Sequence, residues 1–180
     1  MNGKSCGFIF CPPSCFKFGW DEEDEKCISM KQVMLQQIQL MRCRGYQSFF
    51  VVPDSGAGLW CGEILNVLRN DDPKLLLQCI LPHEELATKW HPNLRHRYFA
   101  LMEQCTHLAV VSRPDDDDAV EKALDYMAKC CDFLITVYSS PLCKRGAVDR
   151  VMDKVRKSGK PHLQIEPDTL ELKLFPIKRE

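Results

Sequence analysis

The chain has 180 residues, of which 45% are hydrophobic, and its 24 basic and 25 acidic side chains leave a net charge of -1. This size and composition are typical of one folded domain, and the charge provides no field that would hold a nucleic acid or an anionic membrane. No apolar segment approaches the roughly 20 residues that span a bilayer, and residues 1–11 lack an export signal, so we expect a cytoplasmic protein without nucleic-acid or membrane partners.

The chain contains eleven cysteines. In a secreted protein they would suggest a disulfide framework, but the missing export signal disfavours that interpretation. A structural zinc site normally has two closely spaced ligand pairs, which this chain lacks. The candidates for such a site are Cys11, Cys15, Cys130, Cys131 and Cys143. We expect instead that the cysteines are mainly buried, inert thiols.

Short apolar runs rich in β-branched and aromatic residues alternate with helical patterns along the chain. We predict strands at 7–11, 48–52, 75–81, 107–111, 133–138 and 162–165. Apolar strands that alternate with helices are typical of a parallel sheet that is covered on both faces. The sequence therefore predicts an α/β fold: a Rossmann-like, doubly wound, mainly parallel sheet with helices on both faces.

The first helix is predicted over residues 30–44. Ser29 and Gln32 have the spacing of a capping box, and Gly45 is placed to end the helix. Four more helices are predicted from near Gly58, after Pro92, after the acidic run 115–118 and before Gly159. The residues expected on their inward faces are Trp60, Ile64, Val67 and Leu68; then Leu94, Tyr98, Leu101 and Met102; then Val120, Ala123, Leu124 and Met127; then Val148, Val151, Met152 and Val155.

The four aspartates 115–118 could be read as a metal cluster or as the acidic start of a helix. Because negative side chains are favourable at the positive end of a helix dipole, we prefer the second interpretation.

Beyond residue 166 the pattern changes to an alternation of leucines with charged residues. This two-residue period predicts a strand, which could form an added edge of the sheet or a contact between subunits of a homo-oligomer. We treat residues 1–166 as the Rossmann-like domain and 167–180 as a C-terminal extension of the same domain.

Two loops that join strands to helices are candidates for ligand binding, because ligands of open α/β sheets bind beyond the carboxyl ends of the strands. The first contains Ser55, Gly56 and Gly58, whose small size would let backbone amides approach an anion. A tight turn without a ligand would have the same composition.

The second candidate loop contains Ser139, Ser140, Lys144, Arg145 and Gly146. Two cations at the start of a helix are electrostatically unfavourable unless an anion joins them, which suggests a bound phosphate or carboxylate. The alternative is that the two side chains are ordinary solvated surface.

The serines lack a Gly-x-Ser-x-Gly elbow and the histidines lack a metal-binding spacing, so we assign no catalytic residue, no metal ligand and no cofactor.

A series of aromatic and acidic motifs runs along the chain in a fixed order. They are the segment 19–27 from Gly-Trp through acidic residues to a cysteine, Leu59 and Trp60 ahead of Glu63, Trp90, the Arg-Tyr-Phe of 97–99, and Asp132. In this order they resemble the YpsA-like family of the SLOG superfamily over about residues 6–165. The resemblance implies a Rossmann-like fold that binds nucleotides or their derivatives.

The ligand loops differ from the pattern of that family. At residues 9–13 only Pro13 of the family's Thr-Gly-His-Arg-Pro is retained, the second loop keeps Gly56 but has Gly58 in place of an aspartate, and residues 146–148 read Gly-Ala-Val instead of Gly-Gly-Thr. A bulky side chain in place of the glycine and the loss of the arginine would weaken phosphate binding. The ligand loops are therefore expected to be degenerate.

The residues and the resemblance together predict nonenzymatic binding or sensing of a nucleotide-type small molecule. The predicted ligand-binding residues are Pro13, Ser55, Gly56, Gly58, Trp60, Glu63, Ser139, Ser140, Lys144, Arg145 and Gly146. One alternative is a nucleoside monophosphate hydrolase like the phosphoribohydrolases of the same superfamily, although their Pro-Gly-Gly-x-Gly-Thr-x-x-Glu motif is not retained. Another is a protein-interaction scaffold without a small ligand.

Overall fold

The computed structural model describes residues 3–176, which form a seven-stranded sheet and five α-helices. The strands are β1 Lys4–Phe10, β2 Tyr46–Val51, β3 Leu76–Leu81, β4 His107–Val110, β5 Phe133–Val137, β6 His162–Ile165 and β7 Leu172–Phe175. The helices are α1 Glu25–Cys43, α2 Ala57–Asp71, α3 Pro92–Gln104, α4 Ala119–Cys130 and α5 Ala147–Lys157, with a short 3-10 helix at Pro13–Cys15. The last four residues of the predicted extension and the first two of the chain lie outside the described range.

The strand order across the sheet is β4-β3-β2-β1-β5-β6-β7. The first six strands are parallel, and β7 pairs antiparallel with β6. α1 contacts α2 and α2 contacts α3, whereas α4 contacts α5. Right-handed crossovers in the two directions from β1 put these two groups on opposite faces, so the doubly wound prediction is confirmed. The order reverses between β1 and β5, which is the switch point of the sheet.

The centre of the sheet is closely packed against α4. A Cβ atom added at Gly7 of β1 would lie 2.7 Å from Sγ of Cys131 and 3.2 Å from Cγ of Met127. Glycine in the middle of a strand weakens β-structure unless a neighbour needs the space, and here α4 occupies it. The helix can therefore cross close to β1 without leaving a void.

The predicted start of α1 was wrong. The helix begins five residues earlier, at Glu25, and its N-cap is Asp24, whose Oδ1 accepts a hydrogen bond of 2.8 Å from the amide of Lys26. Ser29 and Gln32 therefore lie inside the helix and form no capping box. An aspartate caps the free amides, and its negative charge also interacts favourably with the positive end of the helix dipole. This explains why the helix begins after Asp24 and not after Ser29. Gly45 ends the helix with a φ of 85°, as predicted.

Two residues predicted on inward helix faces lie at the surface. Val67 of α2 is 64% exposed and Val120 of α4 is 42% exposed, while Leu65 is buried in α2. The buried face of α2 includes Leu59 and Leu65 in addition to the predicted Trp60 and Leu68. In α4 the other predicted residues, Ala123, Leu124 and Met127, are buried as expected. Asp118 is the N-cap of α4 but makes no side-chain capping bond, and Asp116 accepts from its amide at 3.0 Å.

The expectation of buried, inert thiols was only partly correct. Cys6, Cys27, Cys61, Cys79 and Cys131 are buried and free. Cys11 and Cys143, by contrast, are joined in a disulfide, and Cys43 and Cys130 are exposed. Cys11 follows β1 and Cys143 follows β5, so the pairing of these two distant strands brings the sulfur atoms together.

Within residues 3–176 no helix combines the length and the apolar character that a membrane crossing requires.

Candidate functional site

A cavity of about 520 Å³ lies at the carboxyl edge of the sheet, beside the switch point between β1 and β5. We call it the main cavity. The loops after β1, β2 and β5 supply most of its wall, and α4 closes one side. The residues that line it are Phe8, Phe10, Pro12, Pro13, Ser14, Cys15, Trp20, Val52, Asp54, Ser55, Leu86, Trp90, Val120, Leu124, Leu142, Cys143, Lys144, Gly146, Ala147 and Val148. Its size and its mainly apolar wall are typical of small-molecule sites.

A second cavity of about 540 Å³ adjoins the first and has a more polar wall. Trp20, Ser55 and Trp90 line both cavities, so they form the border between them. Nε1 of Trp20 donates a hydrogen bond of 3.1 Å to Oγ of Ser55, which fixes the indole over the loop after β2. Two tryptophans at this border provide aromatic faces on which a planar ring could stack.

The carboxylate of Asp54 accepts hydrogen bonds from backbone amides at the start of α2. Its Oδ1 accepts hydrogen bonds of 2.8 Å from the amide of Gly56 and 2.9 Å from that of Gly58. Burial raises the pKa of Asp54 to about 6, although the backbone hydrogen bonds act in the opposite direction. These amides were the predicted anion-binding groups. The chain therefore fills this position with a carboxylate of its own.

Close packing explains why both of these positions in the loop after β2 are glycine. A Cβ atom at Gly56 would lie 2.3 Å from Cγ of Pro13, and one at Gly58 would lie 2.4 Å from the carbonyl oxygen of Val52. Both contacts are shorter than atoms tolerate, so any side chain would push the loops apart. The glycines thus let the loops after β1 and β2 meet, and neither of them lines either cavity.

A carboxylate of the chain also lies at the start of α5. Asp149, in the first turn of this helix, accepts hydrogen bonds from the hydroxyl of Tyr138, from the amide of Arg145 at 3.1 Å and from Oγ of Ser140 at 3.4 Å. The bond from Tyr138 is the main reason that the pKa of Asp149 is lowered. Here too an internal anion compensates the positive end of the helix.

The two predicted cations of this loop have different positions. Lys144 lines the main cavity, whereas Arg145 is exposed and lines neither cavity. Arg145 has a φ of 60°, and its carbonyl oxygen accepts a hydrogen bond of 2.9 Å from Nη1 of Arg150. Lys144 is therefore the member of the pair that could contact a ligand in the main cavity.

Glu63 lies in an ion-pair cluster outside the two cavities. Nε and Nη2 of Arg97 donate hydrogen bonds of 2.7 Å each to its two carboxylate oxygens, and Arg97 also binds Glu22. Burial alone would raise the pKa of Glu22, but hydrogen bonds from Arg97 and Lys31 lower it to about 2. Two parallel hydrogen bonds fix the guanidinium of Arg97 against this carboxylate, so Glu63 is placed to position Arg97.

The structure brings only some of the predicted ligand-binding residues together. Those that line the main cavity are Pro13, Ser55, Lys144 and Gly146. Those that do not are Gly56, Gly58, Trp60, Glu63, Ser139, Ser140 and Arg145. Trp60 is 2% exposed and belongs to the core, where Nζ of Lys31 lies 4.9 Å from its ring centre.

Several lining residues were missing from the predicted set. The most informative are Phe10, Trp20, Asp54, Trp90 and Cys143. Trp20 and Trp90 are distant in sequence from the candidate loops, and the family motifs were the one signal that marked them. Asp54 lies inside a predicted ligand loop. Because glycines follow it, the backbone amides of that loop were predicted to bind the ligand, and the carboxylate of Asp54 was not considered.

Comparison with known proteins identifies relatives of the chain. The family model YpsA, described as "YspA SLOG family", matches residues 16–170. A UPF0398 protein of Halalkalibacterium halodurans is 23% identical over 111 residues, which cover 61% of this chain and 59% of that protein. The match therefore spans little more than half of the relative's length.

Proposed function

This chain belongs to the YpsA SLOG family, and we propose that its main cavity binds a nucleotide-type small molecule without converting it. The observation that carries the proposal is the position of the cavity, at the switch point of a doubly wound sheet and beneath two border tryptophans. Ligands of open α/β sheets bind at such points.

The charges at the cavity restrict the class of ligand. Asp54 already accepts from two amides at the start of α2, and Asp149 accepts from the amide of Arg145 just before α5. A phosphate chain at the start of α2 would have to displace the carboxylate of Asp54, and one at the start of α5 would face the carboxylate of Asp149. Lys144 is the cation among the residues that line the main cavity within the described range. We therefore propose a heteroaromatic ligand with at most one anionic group, such as a nucleoside or a nucleoside monophosphate.

The border tryptophans and Phe10 support recognition of the aromatic part of that ligand. Base stacking on an aromatic side chain is worth about 1–3 kcal/mol. Glu63, the residue that a hydrolase mechanism would use in this chain, is held by Arg97 outside the main cavity. This arrangement favours binding or sensing over hydrolysis.

A thermal-shift screen of nucleobases, nucleosides, monophosphates and triphosphates tests the proposal. A ligand at 100 times its Kd that binds only the folded chain stabilises it by about 2.7 kcal/mol. We expect a nucleoside or monophosphate to raise the melting temperature more than its triphosphate does. No shift with any compound at millimolar concentration would support the scaffold alternative, and release of free base, seen by chromatography, would support the hydrolase.

Two matched pairs of variants locate the site. We expect Trp20→Ala to weaken binding about tenfold through lost stacking, whereas Phe99→Ala, an exposed aromatic outside both cavities, leaves it unchanged. For a monophosphate, Lys144→Gln should weaken binding and Arg145→Gln should not. Equal effects within either pair, measured by calorimetry, would contradict binding in the main cavity.

A further inference from the structure

Three cysteines meet where the loops after β1 and β5 face each other. Cys11 directly follows β1, Cys15 ends the short 3-10 helix, and Cys143 lies in the loop after β5. Their sulfur atoms all lie within 4.8 Å of one another. Sγ of Cys15 is 4.0 Å from Sγ of Cys143, which is bonded to Cys11. Within residues 3–176 this is the one group of three or more metal-binding side chains that lie so close together.

Two of the three cysteines are buried, and the third is partly exposed. Cys11 is 0% exposed and Cys143 is 5% exposed, whereas Cys15 is half-buried. Cys15 and Cys143 line the main cavity together with Phe10 and Leu142. The thiol of Cys15 donates to the carbonyl oxygen of Leu142 at 3.3 Å. The cluster is therefore enclosed by protein and accessible from the main cavity.

The spacing of the sulfur atoms suits a single thiophilic ion once the disulfide is reduced. Tetrahedral Zn²⁺ binds thiolates at about 2.3 Å, which separates neighbouring sulfur atoms by roughly 3.8 Å. The sulfur atoms of Cys15 and Cys143 already have nearly this separation. Three thiolates leave the fourth tetrahedral position open, as in catalytic and ligand-binding zinc sites. That position would face the main cavity.

We infer that Cys11, Cys15 and Cys143, in their reduced form, bind one Zn²⁺ ion as thiolates, and that formation of the Cys11–Cys143 disulfide releases it. Oxidation takes one electron from each of these two sulfur atoms. Hydrogen peroxide, as the oxidant, accepts both electrons as its O–O bond breaks, and with two protons from solvent it forms two molecules of water. Cys15 then loses its two partner ligands and takes up a proton when the ion leaves.

This inference does not depend on the identity of the nucleotide-type ligand. The site uses sulfur atoms at one wall of the main cavity, and its occupancy can be measured on the chain alone. A disulfide and a metal ion cannot use the same two sulfur atoms at once, so the oxidation state of the pair decides whether the ion can bind. The site would couple the redox state of the surroundings to zinc occupancy at the wall of the main cavity.

Titration of the fully reduced chain with Co²⁺ under anaerobic conditions tests the metal site. Thiolate ligation gives a sulfur-to-cobalt charge-transfer band, and added Zn²⁺ should remove it at one equivalent per chain. We expect Cys15→Ser to lose the band or to weaken binding at least tenfold. The exposed Cys43→Ser and Cys130→Ser serve as matched controls that keep it. No band with the reduced wild type, or equal binding by Cys15→Ser and the controls, would overturn the inference.

Peroxide treatment of the zinc-loaded chain tests the redox step. We expect one equivalent of Zn²⁺ to be released to a chromophoric indicator while mass spectrometry finds the Cys11 and Cys143 peptides linked. Cys11 is fully buried, so a serine there could impair folding, whereas the half-buried Cys15 provides a variant whose melting curve is expected to stay close to wild type. Retention of zinc after the disulfide has formed would overturn the proposed exchange.

Discussion

At the scale of single residues, Asp54 links the stability of the fold to the wall of the site. Its carboxylate accepts from two amides at the start of α2, and it also lines the main cavity. Burial raises its pKa to about 6 from an ordinary value of 3.8. A carboxyl group with a raised pKa binds its proton more tightly in the folded chain than in the unfolded chain.

This shift predicts the pH dependence of stability. The stabilising contribution of protonated Asp54 is fully present below about pH 4 and is lost as the pH rises through about 6. The free energy of unfolding falls by up to about 3 kcal/mol over this range. Relative to Asp54→Asn, the wild type should therefore lose free energy of unfolding between about pH 4 and pH 7. Urea unfolding of both proteins across this range measures the difference. A difference that stays constant with pH would contradict the raised pKa.

At the scale of elements, α2 and α3 approach each other through a glycine. A Cβ atom at Gly62 would lie 2.6 Å from Cδ2 and 2.9 Å from Cδ1 of Leu101, which is 1% exposed. On an isolated helix, glycine to alanine would be favourable by about 1 kcal/mol. Inside this contact, overpacking is expected to outweigh the helix preference.

We predict that Gly62→Ala lowers the free energy of unfolding by about 1–3 kcal/mol. Leu101→Ala alone should cost about 2–5 kcal/mol, because it leaves a cavity. In the Leu101→Ala background, Gly62→Ala is expected to be neutral or stabilising, since the added methyl group then fills space. Denaturant unfolding of the four proteins gives the coupling energy, and additive effects would show that the two side chains do not compete.

The C-terminal extension forms an element of its own at one edge of the sheet. β7 pairs with β6, and the ring of Phe175 stacks on His162 with ring centres 4.4 Å apart. Leu172 and Leu174 are 50% and 59% exposed on β7. The predicted edge strand is confirmed, and the proposed subunit contact through these leucines stays a prediction.

At the scale of the whole molecule, charges on α4 are paired with charges on α5. Glu121 of α4 binds both Arg150 and Lys154 of α5, and Asp125 binds Lys154 as well. Together with a net charge of -1, this pairing leaves little positive potential for a phosphate polymer.

We therefore predict that the chain does not bind nucleic acid. Fluorescence anisotropy of a labelled single strand or duplex should stay unchanged up to about 10 μM protein at low salt, where nonspecific electrostatic binding is strongest. Binding that weakens steeply with added salt would contradict the prediction and would indicate a basic surface that the charge count does not reveal.

The fold class followed from the amino-acid pattern alone. Alternation of apolar strands with amphipathic helices depends on local periodicity, and each predicted strand was found within a few residues of its position, including the edge strand after residue 166. Gly45 and Gly159 were predicted as helix ends for a local reason, since both adopt a positive φ that favours glycine. The family motifs also include Trp20 and Trp90, which line the main cavity.

The roles of the loops, by contrast, depend on contacts between distant segments. The amides beside Gly56 and Gly58 indicated an anion site, but the fold fills it with Asp54, and the two glycines serve contacts with Pro13 and Val52. Cys11 and Cys143 are 132 residues apart in sequence and meet because β1 and β5 are neighbours. Local sequence patterns indicate which backbone conformation a segment prefers. Which side chain accepts a given hydrogen bond, or which two sulfur atoms meet, depends on the order of the strands in the sheet, and hydrophobic periodicity does not predict that order.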